Sequence, residues 1–313
     1  MIVEALLARR GVRRGLLQRA LRMAGTAAFY GGVLLFGLYV LLPFSWMVIS
    51  SFQTEAEIVS VPPHWLPERP TLENYLALFI GPQVGTGRLP EQGGFVPASA
   101  RDLLPAMRNS AVVGSLVTLI DLVLGSMAGY AMARYRFPGR QAALYAMLAL
   151  RIVPDIALMV PFFLLIRGLG LLDTIWALVV VYAGITLPFT VFIIAGYLET
   201  IPRELDDAAL IDGCTPSQVL TRVLLPLAKP GLVAAAIFAF LASWNEFLVA
   251  LVVTKTSRSL TLPVVVATFT SDFNISFALM NAAGVLAVVP PVVLAVLFHR
   301  YLVGGLTVGA VKE

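Results

Sequence analysis

Charge is scarce in this 313-residue chain. Asp, Glu, Lys and Arg make up 13% of it, against about 25% in a typical soluble domain. With 59% hydrophobic residues, the few charged side chains cannot clothe a globule of this length in a hydrated surface. An ordinary soluble enzyme, a disordered chain and a fibrous one are excluded, and a polytopic membrane protein remains. Cysteine is rarer still. Cys214 stands alone, which excludes an intramolecular disulfide framework and a multi-cysteine metal site, and it reads as an incidental small residue. His64 and His299 are the two histidines; the topology below puts them on opposite sides of the membrane, and no His-Glu-x-x-His motif exists, so no metal site is expected. There is no Gly-x-x-x-x-Gly-Lys-[Ser/Thr] phosphate loop and no Gly-Lys dipeptide. The chain is therefore expected to bind no nucleotide cofactor of its own, and its surroundings to be membrane lipid, not nucleic acid.

What is present is a set of long uncharged runs. A membrane-crossing helix needs about 20 apolar residues. Six such runs occur, at about 27–51, 109–133, 141–166, 174–198, 230–254 and 273–298. The second is interrupted by Asp121, the third by Arg151 and Asp155, the fifth by Glu246. Runs of this length exclude a barrel of strands, which would be about 10 residues each with alternating polarity. The first run is too long for the h-region of a cleaved signal peptide, about 7–15 residues, and reads as a retained anchor. The expectation is an all-α membrane protein of six transmembrane helices, with an N-terminal tail over 1–25, a membrane domain over 26–303 and a C-terminal tail over 304–313.

Lys and Arg set the orientation. The N-terminal tail holds six, the loop after span 2 three, the loop after span 4 three and the C-terminal tail two, making 14 on one side against six on the other. Both termini are expected in the cytoplasm. The external loop 52–105 is rich in Pro and Gly and reads as short helices and turns, with Thr71-Leu72-Glu73-Asn74-Tyr75 beginning one of the helices.

The cytoplasmic loop 199–229 is more informative. Pro202 suits the opening of a helix, and Glu204, Asp206 and Asp207 fall in its first turn, where the helix dipole favours anions. Leu205, Ala208, Ala209 and Ile211 supply apolar positions at near-helical spacing. Gly213 suits the left-handed residue that ends a helix. Thr215-Pro216-Ser217-Gln218 then reads as a fresh start: Thr as N-cap, Pro at N1, Gln closing a capping box. A helix–Gly–helix elbow follows, ending near Pro226, with two adjacent alanines as a shallow surface. Such an elbow is equally compatible with a plain hairpin between spans.

The same residues carry a resemblance. Asp207-Ala208-Ala209, three residues, Gly213, nine residues, Val223, one residue, then Leu225-Pro226 is similar to the Glu-Ala-Ala signature of binding-protein-dependent ABC importer permeases, departing conservatively at Asp207 and Val223. Ser243-Trp244-Asn245-Glu246-Phe247, Leu260-Thr261-Leu262-Pro263 and Gly305 to Lys312 resemble the carbohydrate-uptake branch and its maltose-permease MalG-like subunits. The segment 81–104 looks like a local insertion. The resemblance implies the type I importer permease fold with a cytoplasmic coupling helix. It implies a second, MalF-like permease, a dimer of ABC ATPases that uses ATP and Mg, and an extracytoplasmic sugar-binding protein. It assigns the coupling contact to Asp207, Ala208, Ala209, Gly213, Val223, Leu225 and Pro226, and a di- or oligosaccharide such as maltose or trehalose as cargo, with some phosphorylated polyols also known in the branch. It places the chain in a bacterial or archaeal cytoplasmic membrane.

Ionisable groups inside spans are costly and mark pathways or partners. Arg151 and Asp155, four apart, lie on one helix face and could pair, either lining a path or orienting span 3, while Pro154 and Pro161 loosen the same span and free carbonyls. Trp244, Asn245 and Glu246 combine an aromatic face with hydrogen-bonding groups, as a sugar path or an interhelical contact would. Asp121 admits the same two readings. Gly125 and Gly129 would let helices approach closely. These ionisable groups also keep open an ion-coupled carrier or an intramembrane enzyme working without an ATPase.

Overall fold

A backbone that crosses a bilayer must pair its own N–H and C=O groups, and the uncharged runs of this chain do so as helices. The computed structural model describes residues 2–80, 98–270 and 276–307. In chain order the helices are α1 (Ile2–Ser50), α2 (Glu55–Ile58), α3 (Glu73–Ile80), α4 (Leu103–Arg134), α5 (Arg140–Ala149), α6 (Asp155–Gly168), α7 (Ile175–Glu199), α8 (Glu204–Ile211), α9 (Pro216–Gln218), α10 (Leu225–Leu227), α11 (Lys229–Trp244), α12 (Leu248–Val253), α13 (Leu262–Ala267) and α14 (Phe277–Thr307). A 3₁₀ turn at Leu150–Ile152 joins α5 towards α6, and a π-helical turn at Val219–Leu224 joins α9 to α10. Four described helices are long and apolar enough to cross a membrane, and six crossings result if each of two sharply bent pairs is one span.

Two expected spans differ from straight helices. Span 3 breaks between α5 and α6, which meet at 98°. Pro154 is the cause: it pushes Val153 into the extended region (φ −69°, ψ 122°), as a residue before proline prefers. Span 5 breaks after Trp244: Phe247 leaves the helical region (φ −120°, ψ −44°) and α12 restarts at Leu248. The expected tails are also partly helical, since α1 begins at Ile2 and α14 runs to Thr307. The insertion 81–104 lies outside the described residues as far as residue 97.

The centre of the bundle is the α4–α7 pair. Gly125 and Gly129 lie in its seam: a methyl added at Gly125 would stand 2.9 Å from Thr190 Cγ2, and one at Gly129 would stand 3.0 Å from Ile194 Cγ2. Only small residues permit that approach. Asp121 is fully buried in the same seam and accepts a hydrogen bond from Thr190 Oγ1 at 3.1 Å. α11 packs across both helices, with Gly231 directly against the ring of Tyr197. α1, by contrast, leaves apolar side chains such as Phe36 and Tyr39 exposed.

At the end of the bundle away from the 199–229 loop, polar side chains tie the connections. Thr54 and Glu57 form a capping box at α2. Glu55 accepts the N–H groups of Phe277 and Ala278, both at 3.0 Å, and so caps α14. α3 begins at Glu73, whose N–H donates to Thr71 Oγ1. Between α6 and α7, Asp173 adopts φ 59°. Its carboxylate accepts from the N–H groups of Lys255 and Thr256 and from the hydroxyls of Thr256 and Ser259, at 2.5–2.9 Å. Its own N–H donates to Val253 at 2.9 Å. The α6–α7 and α12–α13 connections are thereby latched together.

Candidate coupling elbow and mid-membrane cavity

The elbow forms from local signals. α8 opens with Glu204, Asp206 and Asp207 in its first turn, two residues after Pro202. It ends on Gly213 at φ 85°. There the Gly213 N–H donates to Leu210 O and the Cys214 N–H to Ala209 O, both at 3.0 Å, the paired bonds of a Schellman stop. Thr215 then caps the next helix: its Oγ1 accepts from Gln218 N, and Gln218 Oε1 accepts from Thr215 N at 2.8 Å. Pro226 has no N–H to return to the preceding turn, and the chain widens into the π turn just before it. The second arm meets α11 at 84°.

One face of the elbow is core and the other is bare. Ala209, Val219, Leu220 and Leu224 pack with Ala133, Ile194 and Leu198 of α4 and α7. Asp207, Ala208 and Gly213 are exposed, as is Ile211 at 86%. The two alanines therefore do not act as a pair: Ala208 faces out and Ala209 is buried. Val223 and Leu225 are half-buried, and Pro226 is exposed.

A buried ion pair that the sequence reading missed holds this face in place. Arg134, in the last turn of α4, donates from Nε to Asp206 Oδ2 at 2.5 Å and from Nη2 to Oδ1 at 3.3 Å. The side chains are 6% and 12% exposed. The same guanidinium donates to Leu198 O at 2.9 Å and Ile201 O at 3.1 Å, carbonyls at the end of α7. Arg203 returns the favour to α4 by donating to Ala133 O. The second ion pair nearby, Arg140 with Glu199, is more exposed and contributes less.

The other constellation lies halfway through the bundle. A cavity of 430 Å³ is bounded by the α5–α6 break, the middle of α7 and the end of α11. Arg151, Asp155 and Glu246 line it; Asp121, Trp244 and Asn245 do not. Trp244 is core, 3% exposed, with its indole N–H donated to Ala287 O. Arg151 and Asp155 form no ion pair among the described residues, because the break at Val153–Pro154 removes the shared helix face that pairing requires. The Arg151 guanidinium lies instead over the adjoining rings of Phe189 and Phe238, at 4.8 and 4.7 Å from their centroids. Glu246 accepts from the N–H groups of Val249 at 2.8 Å and Ala250 at 3.3 Å, which explains why α12 restarts where it does. Thr186, Ser243 and Tyr182 complete the polar lining. Sequence reasoning missed Tyr182, which a continuous apolar run hides. Among the described residues no His, Cys, Asp and Glu group could hold a metal ion.

A helical membrane bundle with a broken inner span and a capped elbow at one end describes a transport subunit. The family described as binding-protein-dependent transport system inner membrane component matches residues 121–308. A trehalose transport system permease protein, SugB, of Mycobacterium tuberculosis is 35% identical, over 88% of this chain and 93% of its own. A trehalose/maltose transport system permease protein, MalG, of Thermococcus litoralis is 35% identical over 90% and 95%. A sulfoquinovosyl glycerol transport system permease protein, SmoH, of Agrobacterium fabrum is 34% identical over 87% and 89%. A bacterial ABC transporter that imports alginate superposes with a TM-score of 0.70 at 20% identity, covering 88% of this chain and 97% of that one.

The chain belongs to the inner membrane components of binding-protein-dependent transport systems, the permease subunits of ABC importers. It has the type I permease fold and is a multi-pass inner-membrane transport subunit, not an enzyme. ATP hydrolysis belongs to a separate ATPase partner, and substrate arrives on a substrate-binding protein.

Proposed function

We propose that this chain is one of two unlike permeases in an ATP-driven sugar importer, paired with a MalF-like subunit and carrying a di- or oligosaccharide such as trehalose or maltose. The observation that carries the coupling part is the elbow: a Schellman stop at Gly213, a capping box at Thr215, and exposed Asp207, Ala208 and Ile211 over a buried floor. An exposed apolar ridge with acidic neighbours fits a cleft on a protein partner. The ATPase dimer, with its own ATP and Mg, would seat Asp207, Ala208 and Gly213. Val223, Leu225 and Pro226 set the second arm. The Lys and Arg bias supports both termini in the cytoplasm, which puts the elbow on the ATPase side. Arg151, Asp155 and Glu246 line the path, and this chain itself needs no cofactor.

The test is uptake by vesicles holding the permease pair, the ATPase and the binding protein. Labelled trehalose, maltose and diacetylchitobiose are supplied in turn. Accumulation of at least one, dependent on ATP inside and abolished without the binding protein, is expected. Accumulation without ATP that collapses with a protonophore would instead establish the ion-coupled carrier.

A further inference from the structure

We propose that the groove between α5 and α7, at the elbow end of the bundle, binds one anionic phospholipid, with its phosphate on Arg136 and Arg140 and an acyl chain below them. Such binding does not depend on which solute is carried, so the inference goes beyond the sugar reading and stands apart from it.

The groove is graded along its length. The start of α5 meets the end of α7, where Arg140 pairs with Glu199. A cavity of 590 Å³ opens beside that pair. Arg136, Arg140, Gln141 and Glu199 line its polar end. Leu144 and Leu148, one and two turns further along α5, and Phe192, two turns back along α7 from Glu199, line the rest. Leu144 packs on buried Met132, Val191 and Ala195, which close the floor. At 1.5 Å per residue, both walls pass from charged to apolar over about 10–12 Å. A free phosphate matches the upper part alone, whereas a headgroup with its chain attached matches both.

Charge selects an anion. Two guanidiniums stand in the cavity wall against one carboxylate. Glu199 engages Nη2 of Arg140, and the Nε of the same side chain is buried with no partner, a state in which buried donors are rarely left. Arg136 is exposed and makes no hydrogen bond or ion pair among the described residues. Gly139 supplies no side-chain cap to α5, so the first N–H groups of that helix add donors to the same corner. The surroundings select a lipid. Tyr135, Phe137 and Tyr145 are exposed around the groove, at 49%, 41% and 65%, and such rings settle at the headgroup boundary. Basic pockets between spans are a recurrent headgroup site. A lipid seated here bridges α5 to the end of α7, the helix from which the elbow continues.

The test places the complete importer in phosphatidylcholine vesicles doped with phosphatidylglycerol that carries a photoactivatable group on its acyl chain. Labelling is expected on the α5 segment holding Leu144 and Leu148. Unlabelled phosphatidylglycerol should compete it away; added phosphatidylcholine and inorganic phosphate should not. Arg136→Gln, at an exposed side chain without contacts, should lower labelling about 5-fold, and Arg140→Gln by a similar factor. Glu199→Gln should label at least as strongly as wild type, because it removes the one opposing charge. A groove that needed the ion pair only for its shape would instead lose labelling in Glu199→Gln, and that result overturns the site. Undiminished labelling with both arginines replaced overturns it too. Displacement by inorganic phosphate replaces the lipid with a free anion. An unlabelled groove whose residues cross-link to the partner permease or the ATPase makes this face a protein contact and ends the proposal.

Discussion

Arg134→Ala is expected to detach the elbow and stop ATP-driven uptake. The substitution leaves Asp206 buried, 12% exposed, with its cation gone. Removing one partner of a buried pair costs about 3–5 kcal/mol, and here the guanidinium's bonds to the carbonyls of Leu198 and Ile201 are lost as well. The long helices do not depend on this contact, so the chain should still insert. The measurement is the amount of ATPase recovered with the affinity-purified permease, alongside uptake. Asp206→Asn should be milder, because an amide oxygen still accepts from the guanidinium. The swapped pair Arg134→Asp with Asp206→Arg should not rescue, since an arginine at 206 cannot serve the α7 carbonyls from the α4 side. Full ATPase recovery and uptake in Arg134→Ala would show that the elbow keeps its place without the pair.

Gly213 gives the second large effect, by a different route. A methyl at this position would touch nothing within 4 Å. Space is therefore not the constraint; the φ of 85° is. A β-carbon in that region costs about 1–2 kcal/mol, and a β-branched or bulky residue more. Uptake should fall in the order Gly, Asn, Ala, Val, with Gly213→Trp inactive, while the amount of permease in the membrane stays constant. Asn stands near Gly because its short side chain tolerates the left-handed region. Asp207→Lys, on the exposed face, should abolish ATPase recovery without disturbing the turn. Ordinary ATP-driven uptake in Gly213→Trp would end the coupling assignment.

The parts of this structure legible in the sequence are those encoded by neighbours. The Gly213 stop and the Thr215–Gln218 box are written within a few residues, and both form as read. The α4–α7 seam was visible in Gly125 and Gly129 because small residues four apart fall on one helix face. Long-range partnerships were not visible. Arg134 and Asp206 are 72 positions apart, and no local pattern selects that pairing over Arg134 with any other carboxylate. Arg151 with Asp155 had the right spacing for a pair, but Pro154, legible as a loosening of the span, breaks the helix outright between them. The restart at Leu248 has no Pro or Gly to announce it, since a side chain, Glu246, supplies the cap. Ala209 was misread because a pair of adjacent residues on a helix cannot both face one way.

The Asp173 latch bears on tolerance of acid. Burial alone would raise the carboxylate, but hydrogen bonds from Ser259, from the Thr256 and Lys255 backbone and from the Thr256 hydroxyl hold it well below the usual carboxylate range. Its value is thus lower folded than unfolded, so ionisation favours the latched state. That contribution is complete above the unfolded value, about pH 4, and is lost only as the pH falls through the lowered one. The α6–α7 and α12–α13 connections therefore stay fastened in surroundings acidic enough to protonate ordinary surface carboxylates.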